Sequence, residues 1–131
     1  MSRLNKKFHQ LTIEGQKAFI PFMMAGFPNI SYSKKLLNKL PELGADIIEI
    51  GMPFTDPMAD GKIIQDAGNA SLEAGFKMES LYQMIEGFRK NDRDTPIILM
   101  GYYNPIHKVG SENFVKKIKA LGVDGLIIVD L

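Results

Sequence analysis

GADIIEIGMPFTDPMADGKIIQ, residues 44–65, contains one complete structural unit of this chain and its main chemical puzzle. Leu43-Gly44-Ala45-Asp46 reads as a helix end turning through glycine into a buried strand, IIEIG. A loop with two prolines and two aspartates follows, and from Lys62 the apolar residues fall at helical spacing. Glu49 lies inside the strand, where an unpaired carboxylate costs several kcal/mol to take out of water. It has either an ion-pair partner, such as a neighbouring lysine, or a chemical task.

The same junction recurs. Leu121-Gly122-Val123-Asp124 leads into GLIIVDL, which marks a repeating helix-to-strand architecture. Four apolar runs punctuate the chain: AFIPFMM (18–24), DIIEIG (46–51), PIILMG (96–101) and DGLIIVDL (124–131). Such runs are expected for parallel strands buried on both faces.

Helical spacing fills the intervals. Ser31 or Ser33 is the expected cap of a helix carrying Leu36, Leu37 and Leu40, which Pro41 should shorten or bend. A second helix is expected over 62–74, a third from Ser80 to about Lys90, and a fourth from an Ser111 cap to a Gly122 stop. Residues 1–131 read as a single α/β domain without linker or low-complexity tract.

Two architectures fit four alternating strands: a small open doubly wound sheet, or the first half of a (β/α)₈ barrel, which needs about 250 residues in full. No GxGxxG or GxxxxGKS follows the first strand, against the nucleotide-binding version. The stop at Leu131, with no helix after the fourth strand, favours the half barrel.

Composition narrows the chemistry. The formal charge is +1, with no basic block to serve nucleic acid, and Lys116, Lys117 and Lys119 read as the wet face of a helix. Cysteine is absent, which removes disulfides and thiolate chemistry. His9 and His107 lack HxxxH-type spacing, which argues against a histidine metal site. No apolar run reaches membrane-spanning length, and the cytoplasm is the default location.

In both architectures function gathers at the C-terminal ends of the strands. Glu49, Asp130, Tyr102, Tyr103 and Asn104 fall there, with Asp56 and Asp60 on the loop after the second strand. Each also has a plain reading: Asp56 and Asp60 as turn residues, Asp130 as a cap. Pro53 and Pro57 restrict the loop backbone and give it a defined shape. A strand-tip carboxyl enclosed by Phe22, Met100 and Ile127 would have its pKa raised by desolvation and could shuttle a proton. A second, more hydrated carboxylate would stay ionised and accept a hydrogen bond, so the pair points to divided acid and base roles.

These residues resemble a known family. GADIIEIGMPFTDPMADGKIIQ is similar to the signature of the tryptophan synthase alpha chain, and FIPFMMAGFP, MGYYNPIHKVG and GVDGLIIVDL resemble its first, third and fourth strand regions. The resemblance runs over essentially the whole chain. It implies a (β/α)₈ barrel that cleaves indole-3-glycerol phosphate to indole and glyceraldehyde 3-phosphate. It further implies an alpha2-beta2 heterotetramer with a beta chain holding pyridoxal phosphate, and no cofactor or metal in this chain.

Carried over by motif, Glu49 matches the catalytic acid/base and Asp60 the carboxylate that binds the indole N–H. Phe22, Ile64, Met100, Tyr102, Ile127 and Val129 match or replace lining residues of the indole pocket. Pro53, Asp56, Pro57 and Asn104 fall where the family meets its beta chain. Lys62, Phe27 and His107 depart from the usual proline, aspartate and hydrophobic residue. Lys62 should loosen the helix start and add a charge near Asp60, and His107 reads as an interface or surface residue.

The later strands, the Gly/Ser-rich phosphate site and a pocket tyrosine of the family are not among these 131 residues. The isolated piece is therefore expected to be inactive. The competing expectations are a half-barrel module that dimerises or docks on a beta chain, and another phosphosugar barrel enzyme.

Overall fold

The computed structural model describes all of residues 1–131. In chain order the elements are α1 (Arg3–Ile13), β1 (Phe22–Met24), α2 (Ile30–Lys39), β2 (Ile48–Gly51), α3 (Lys62–Glu73) and α4 (Met78–Asn91). Then follow β3 (Ile97–Gly101), α5 (Tyr103–Val109), α6 (Ser111–Ala120) and β4 (Gly125–Ile128). The strands form one parallel sheet in the order β1-β2-β3-β4, so each pairs with its sequence neighbour. Consecutive parallel strands require crossovers, and the helices supply them.

Side-chain alternation divides the sheet into two unlike faces. Met23, Ile48, Ile50, Ile97 and Leu99 point one way and join Leu37, Leu81, Ile85, Phe88 and Phe114 in a single buried core. Full burial of each such side chain is worth about 1.5–3 kcal/mol. The opposite face carries Phe22, Glu49, Ile98, Met100 and Ile127, matched by register: Phe22 opposite Glu49, Glu49 opposite Ile98, Met100 opposite Ile127. Phe22 and Ile127 are exposed here. Within these residues the helices cover only one face, and the other is left open, as expected of four strands of a half barrel.

The repeated junction is a repeated hydrogen-bond device. Asp46 donates its N–H to the Phe19 carbonyl at 2.9 Å and accepts the Phe19 N–H on its carboxylate at 2.9 Å. Asp124 does the same with Ile97, at 2.8 and 2.9 Å. Gly44 and Gly122 precede them at φ +99° and +82°, the left-handed region that ends a helix without a Cβ penalty. Each aspartate thereby ties its own strand entrance to the one before it. Arg3 of α1 and Arg89 of α4 both reach Asp124 at 3.0 Å, which fastens α1 across this end of the sheet.

Several local expectations change. Asn29, not Ser31 or Ser33, caps α2, accepting the Tyr32 N–H at 2.8 Å. Ser33 is buried, and its hydroxyl accepts the Gly26 N–H at 2.9 Å. Gly110 rather than Ser111 occupies the cap position of α6. Helices α1 and α5 are additional to the sequence reading. Pro105 sits in the first turn of α5, where its missing N–H would have had no partner.

Candidate active site

Glu49 occupies the uncovered face because the β-alternation that buries Ile48 and Ile50 under helices must turn the residue between them the other way. No lysine or arginine pairs with it: the six ion pairs of the chain involve other acids. No ion pair within these residues accounts for a charge in this strand. Glu49 is half-buried and lines a cavity of about 220 Å³ at the C-terminal end of the strands.

That cavity gathers six of the expected residues: Phe22, Glu49, Asp60, Ile64, Met100 and Val129. Met24, Gly51, Met52 and Gly101 complete it and escaped the sequence reading, since nothing in their spacing separates them from ordinary strand residues. Gly51 leaves room in the cavity for the Phe22 ring, since a Cβ there would stand 2.5 Å from that ring and 3.2 Å from the Met24 sulfur and would displace them. A larger groove of about 920 Å³ lies at the other end, between α1 and the turns entering β3 and β4. Only three of its fourteen lining residues are hydrophobic, whereas the smaller cavity joins apolar walls to two carboxylates. Site chemistry belongs to the smaller one.

The loop that brings Asp60 to this cavity is held at defined points. Asp60 donates its N–H to the Pro57 carbonyl at 3.0 Å, closing a tight turn. Gln65 of α3 donates its side-chain amide to the Asp60 and Pro57 carbonyls, at 2.8 and 3.3 Å. Tyr102, just beyond β3, accepts the Ala59 N–H on its phenol oxygen at 3.0 Å, and its ring packs on Phe54 with centroids 5.6 Å apart. Burial pushes the Tyr102 phenol pKa up against the opposing Ala59 N–H, and the Asp60 carboxylate raises it further. The phenol thus keeps its proton at neutral pH.

The remaining expected residues lie outside the cavity. Tyr102 is buried with its phenol between the Ala59 N–H and the Asp60 carboxylate, at the cavity's edge, and Ile127 sits on the exposed part of the same sheet face. Pro53 is buried and Pro57 half-buried, while Asp56 and Asn104 are exposed at the strand-end side of the fold. Asp130 accepts the Tyr103 N–H at 2.8 Å and so caps α5. Lys62 opens α3 and pairs with Asp66 at 2.8 Å, so its ammonium is directed along the helix rather than to Asp60. His107 is exposed, with its ring 5.7 Å from that of Tyr103.

A half-buried strand carboxylate and a loop carboxylate facing one apolar slot can be compared with known proteins. A model of the tryptophan synthase alpha chain family matches residues 8–131. The chain belongs to the tryptophan synthase alpha chain family. It is 56% identical, over all 131 residues, to the tryptophan synthase alpha chain of Granulibacter bethesdensis, 47% of whose length it covers. Among solved structures it is similar to tryptophan synthase subunit alpha from Legionella pneumophila str. Paris, with a TM-score of 0.97 and 39% identity, covering 100% of this chain and 50% of that one. Tryptophan synthase from M. tuberculosis, in an aminoacrylate-bound form, aligns with a TM-score of 0.93 and 31% identity over 100% of this chain and 53% of that one.

The chain therefore spans about half the length of the curated relatives it matches. Its four strands with their helices are about half of the family's (β/α)₈ barrel, which resolves the choice against a doubly wound sheet. No helix is long and apolar enough to cross a membrane.

Proposed function

We propose that the protein is an indole-3-glycerol-phosphate lyase, to which these 131 residues contribute the acid–base half of the active site. The observation that carries this reading is the placement of Glu49 and Asp60 on one apolar cavity of about 220 Å³. Ligand pockets usually span about 300–1,000 Å³. A slot below that range suits one flat ring system, with the rest of the substrate outside.

In the proposed reaction Glu49 delivers a proton to the indole ring carbon that carries the glycerol chain. Asp60 accepts the indole N–H and stabilises the positive charge that spreads to nitrogen. The bond between ring and side chain then breaks, its electrons restoring the aromatic ring. The adjoining hydroxyl loses its proton, which Glu49 accepts, and becomes the aldehyde of glyceraldehyde 3-phosphate. Protons and electrons balance without a cofactor in this chain.

The cavity walls carry two carboxylates and no cation, so nothing in them attracts a phosphate. Barrels of this class hold phosphate on loops after strands seven and eight. The phosphate grip thus belongs to the other half of the barrel, and residues 1–131 alone should release no indole.

The same proposal includes a beta chain as partner, carrying pyridoxal phosphate, in an alpha2-beta2 complex in the cytoplasm, with Pro53, Asp56, Pro57 and Asn104 on the contact; membership of the tryptophan synthase alpha chain family is what favours the partner. Replacing Glu49 by Gln in the full-length chain tests the central claim. Indole release should fall by at least about a thousandfold with an unchanged thermal midpoint, in line with the loss of an essential proton donor. Retained turnover would remove Glu49 from the mechanism.

A further inference from the structure

Gln65 is not among the residues that the family resemblance marks for chemistry, yet its amide tethers the loop that carries Asp60. One nitrogen donates to two carbonyls, Asp60 at 2.8 Å and Pro57 at 3.3 Å, and an amide nitrogen has the two protons this needs. Those carbonyls belong to the two ends of a turn already closed by the Asp60 N–H on the Pro57 carbonyl at 3.0 Å. The Gln65 backbone is itself fixed in α3, its N–H bonded to the Gly61 carbonyl at 3.0 Å. A rigid helix therefore grips both ends of the turn that sets the direction of the Asp60 side chain.

We propose that Gln65 is a positioning residue for the lyase reaction: its amide holds the 57–60 turn so that the Asp60 carboxylate meets the indole N–H as the ring becomes positively charged. The proposal rests on the reading of Asp60 given above. Gln65 touches neither substrate nor reacting atoms. Its effect passes through Asp60, and displacement of a positioned group by about 1 Å costs on the order of a hundredfold in rate.

The surroundings say which quantity should change. The carbonyls released by Gln65 belong to Pro57 and Asp60, half-buried residues flanked by the exposed Asp56, Met58 and Ala59, and the Pro57 carbonyl keeps its bond to the Asp60 N–H, so the fold should lose only about 1–3 kcal/mol. The slot that receives the ring is built by Phe22, Ile64 and Met100, which Gln65 does not hold. Ground-state binding should survive while the interaction that strengthens in the transition state is weakened.

The test is a double-mutant cycle in the full-length chain, with indole release, KM and thermal midpoint measured for each variant. Gln65→Met removes both donors at similar volume. Gln65→Glu keeps length and shape, presents only acceptors to the two carbonyls, and serves as a second reading should the methionine variant fold poorly. Each should lower kcat by about 10- to 100-fold with KM within about threefold. In an Asp60→Asn background the same changes should lower kcat by less than about twofold, because the oriented charge is already gone.

Equal losses in both backgrounds, or a change confined to KM, overturn the proposal. If Asp60→Asn is impaired but both Gln65 variants turn over normally, Gln65 alone is misassigned. If Asp60→Asn keeps full turnover, the reading of Asp60 fails, and the role of Gln65 fails with it.

Discussion

The phenol oxygen of Tyr102 accepts the Ala59 N–H at 3.0 Å, joining the end of β3 to a loop 43 residues earlier in sequence. The contact lies one residue from Asp60, and Gln65 holds the same turn from the other side. A loop stiffened by Pro53 and Pro57 is thus anchored to two regular elements. Placement of the second carboxylate is a property of this frame and of no single residue.

Tyr102→Phe isolates that bond, because the ring and its packing on Phe54 remain. Ala59 is exposed and its N–H can find water, so the variant should lose about 0.5–1.5 kcal/mol of stability. If the bond positions Asp60, indole release by the full-length chain falls by about five- to tenfold. Faster hydrogen exchange at the Ala59 amide with unchanged turnover would confine Tyr102 to loop rigidity.

At the opposite end of the strands, the two repeated aspartates should differ in worth. The Asp124 side chain is 6% exposed and bonds Arg3, Arg89 and the Ile97 N–H. Asp124→Ala leaves the 10%-exposed Arg89 without its buried partner and should cost about 3–5 kcal/mol. Asp46 pairs with Lys7 at 3.7 Å in a wetter setting, and Asp46→Ala should cost about 1.5 kcal/mol, mostly from the Phe19 hydrogen bond. Urea midpoints of the two variants decide this, and equal losses would contradict the burial argument.

Asp92 supplies a pH signature. Burial pushes its pKa up, but the Thr95 hydroxyl, the Thr95 and Asp94 N–H groups and the Arg89 charge outweigh this and hold it below the ordinary carboxylate value. A depressed folded-state pKa adds stability above the unfolded value of about 3.9, and that stability is lost as pH falls through the lower, folded one. Asp92→Asn should therefore be less stable than the parent at pH 7, with the difference shrinking below about pH 4. Urea titrations at both pH values measure it; a gap that widens in acid would reverse the sign.

Local patterns in the chain were enough to read its repeat, its strand centres and the loop that carries Asp60. Gly44-Ala45-Asp46 and Gly122-Val123-Asp124 are visible because a helix stop and a strand start each demand particular residues at adjacent positions. Glu49 is visible because a charge is costly in an apolar strand, and Asp60 because the surrounding motif is long. Short elements were less legible. In α1 the spacing of Leu4, Phe8 and Leu11 extends over only three turns, and α5 has seven residues, too few for periodicity to stand out.

By itself, then, the sequence determined the order of βα units and the residue types at the strand tips, since both follow from contacts within a few positions. Tertiary structure decided which sheet face the helices cover, and so turned Glu49 away from the core beside Ile48 and Ile50. It also decided that Tyr102 bonds the loop backbone at Ala59, and that Gln65 holds the turn bearing Asp60. Tyr102 meets Ala59 across a long sequence separation through the packing of one βα unit on the next. Gln65, though close to Asp60 in sequence, makes its bonds only because α3 begins where it does.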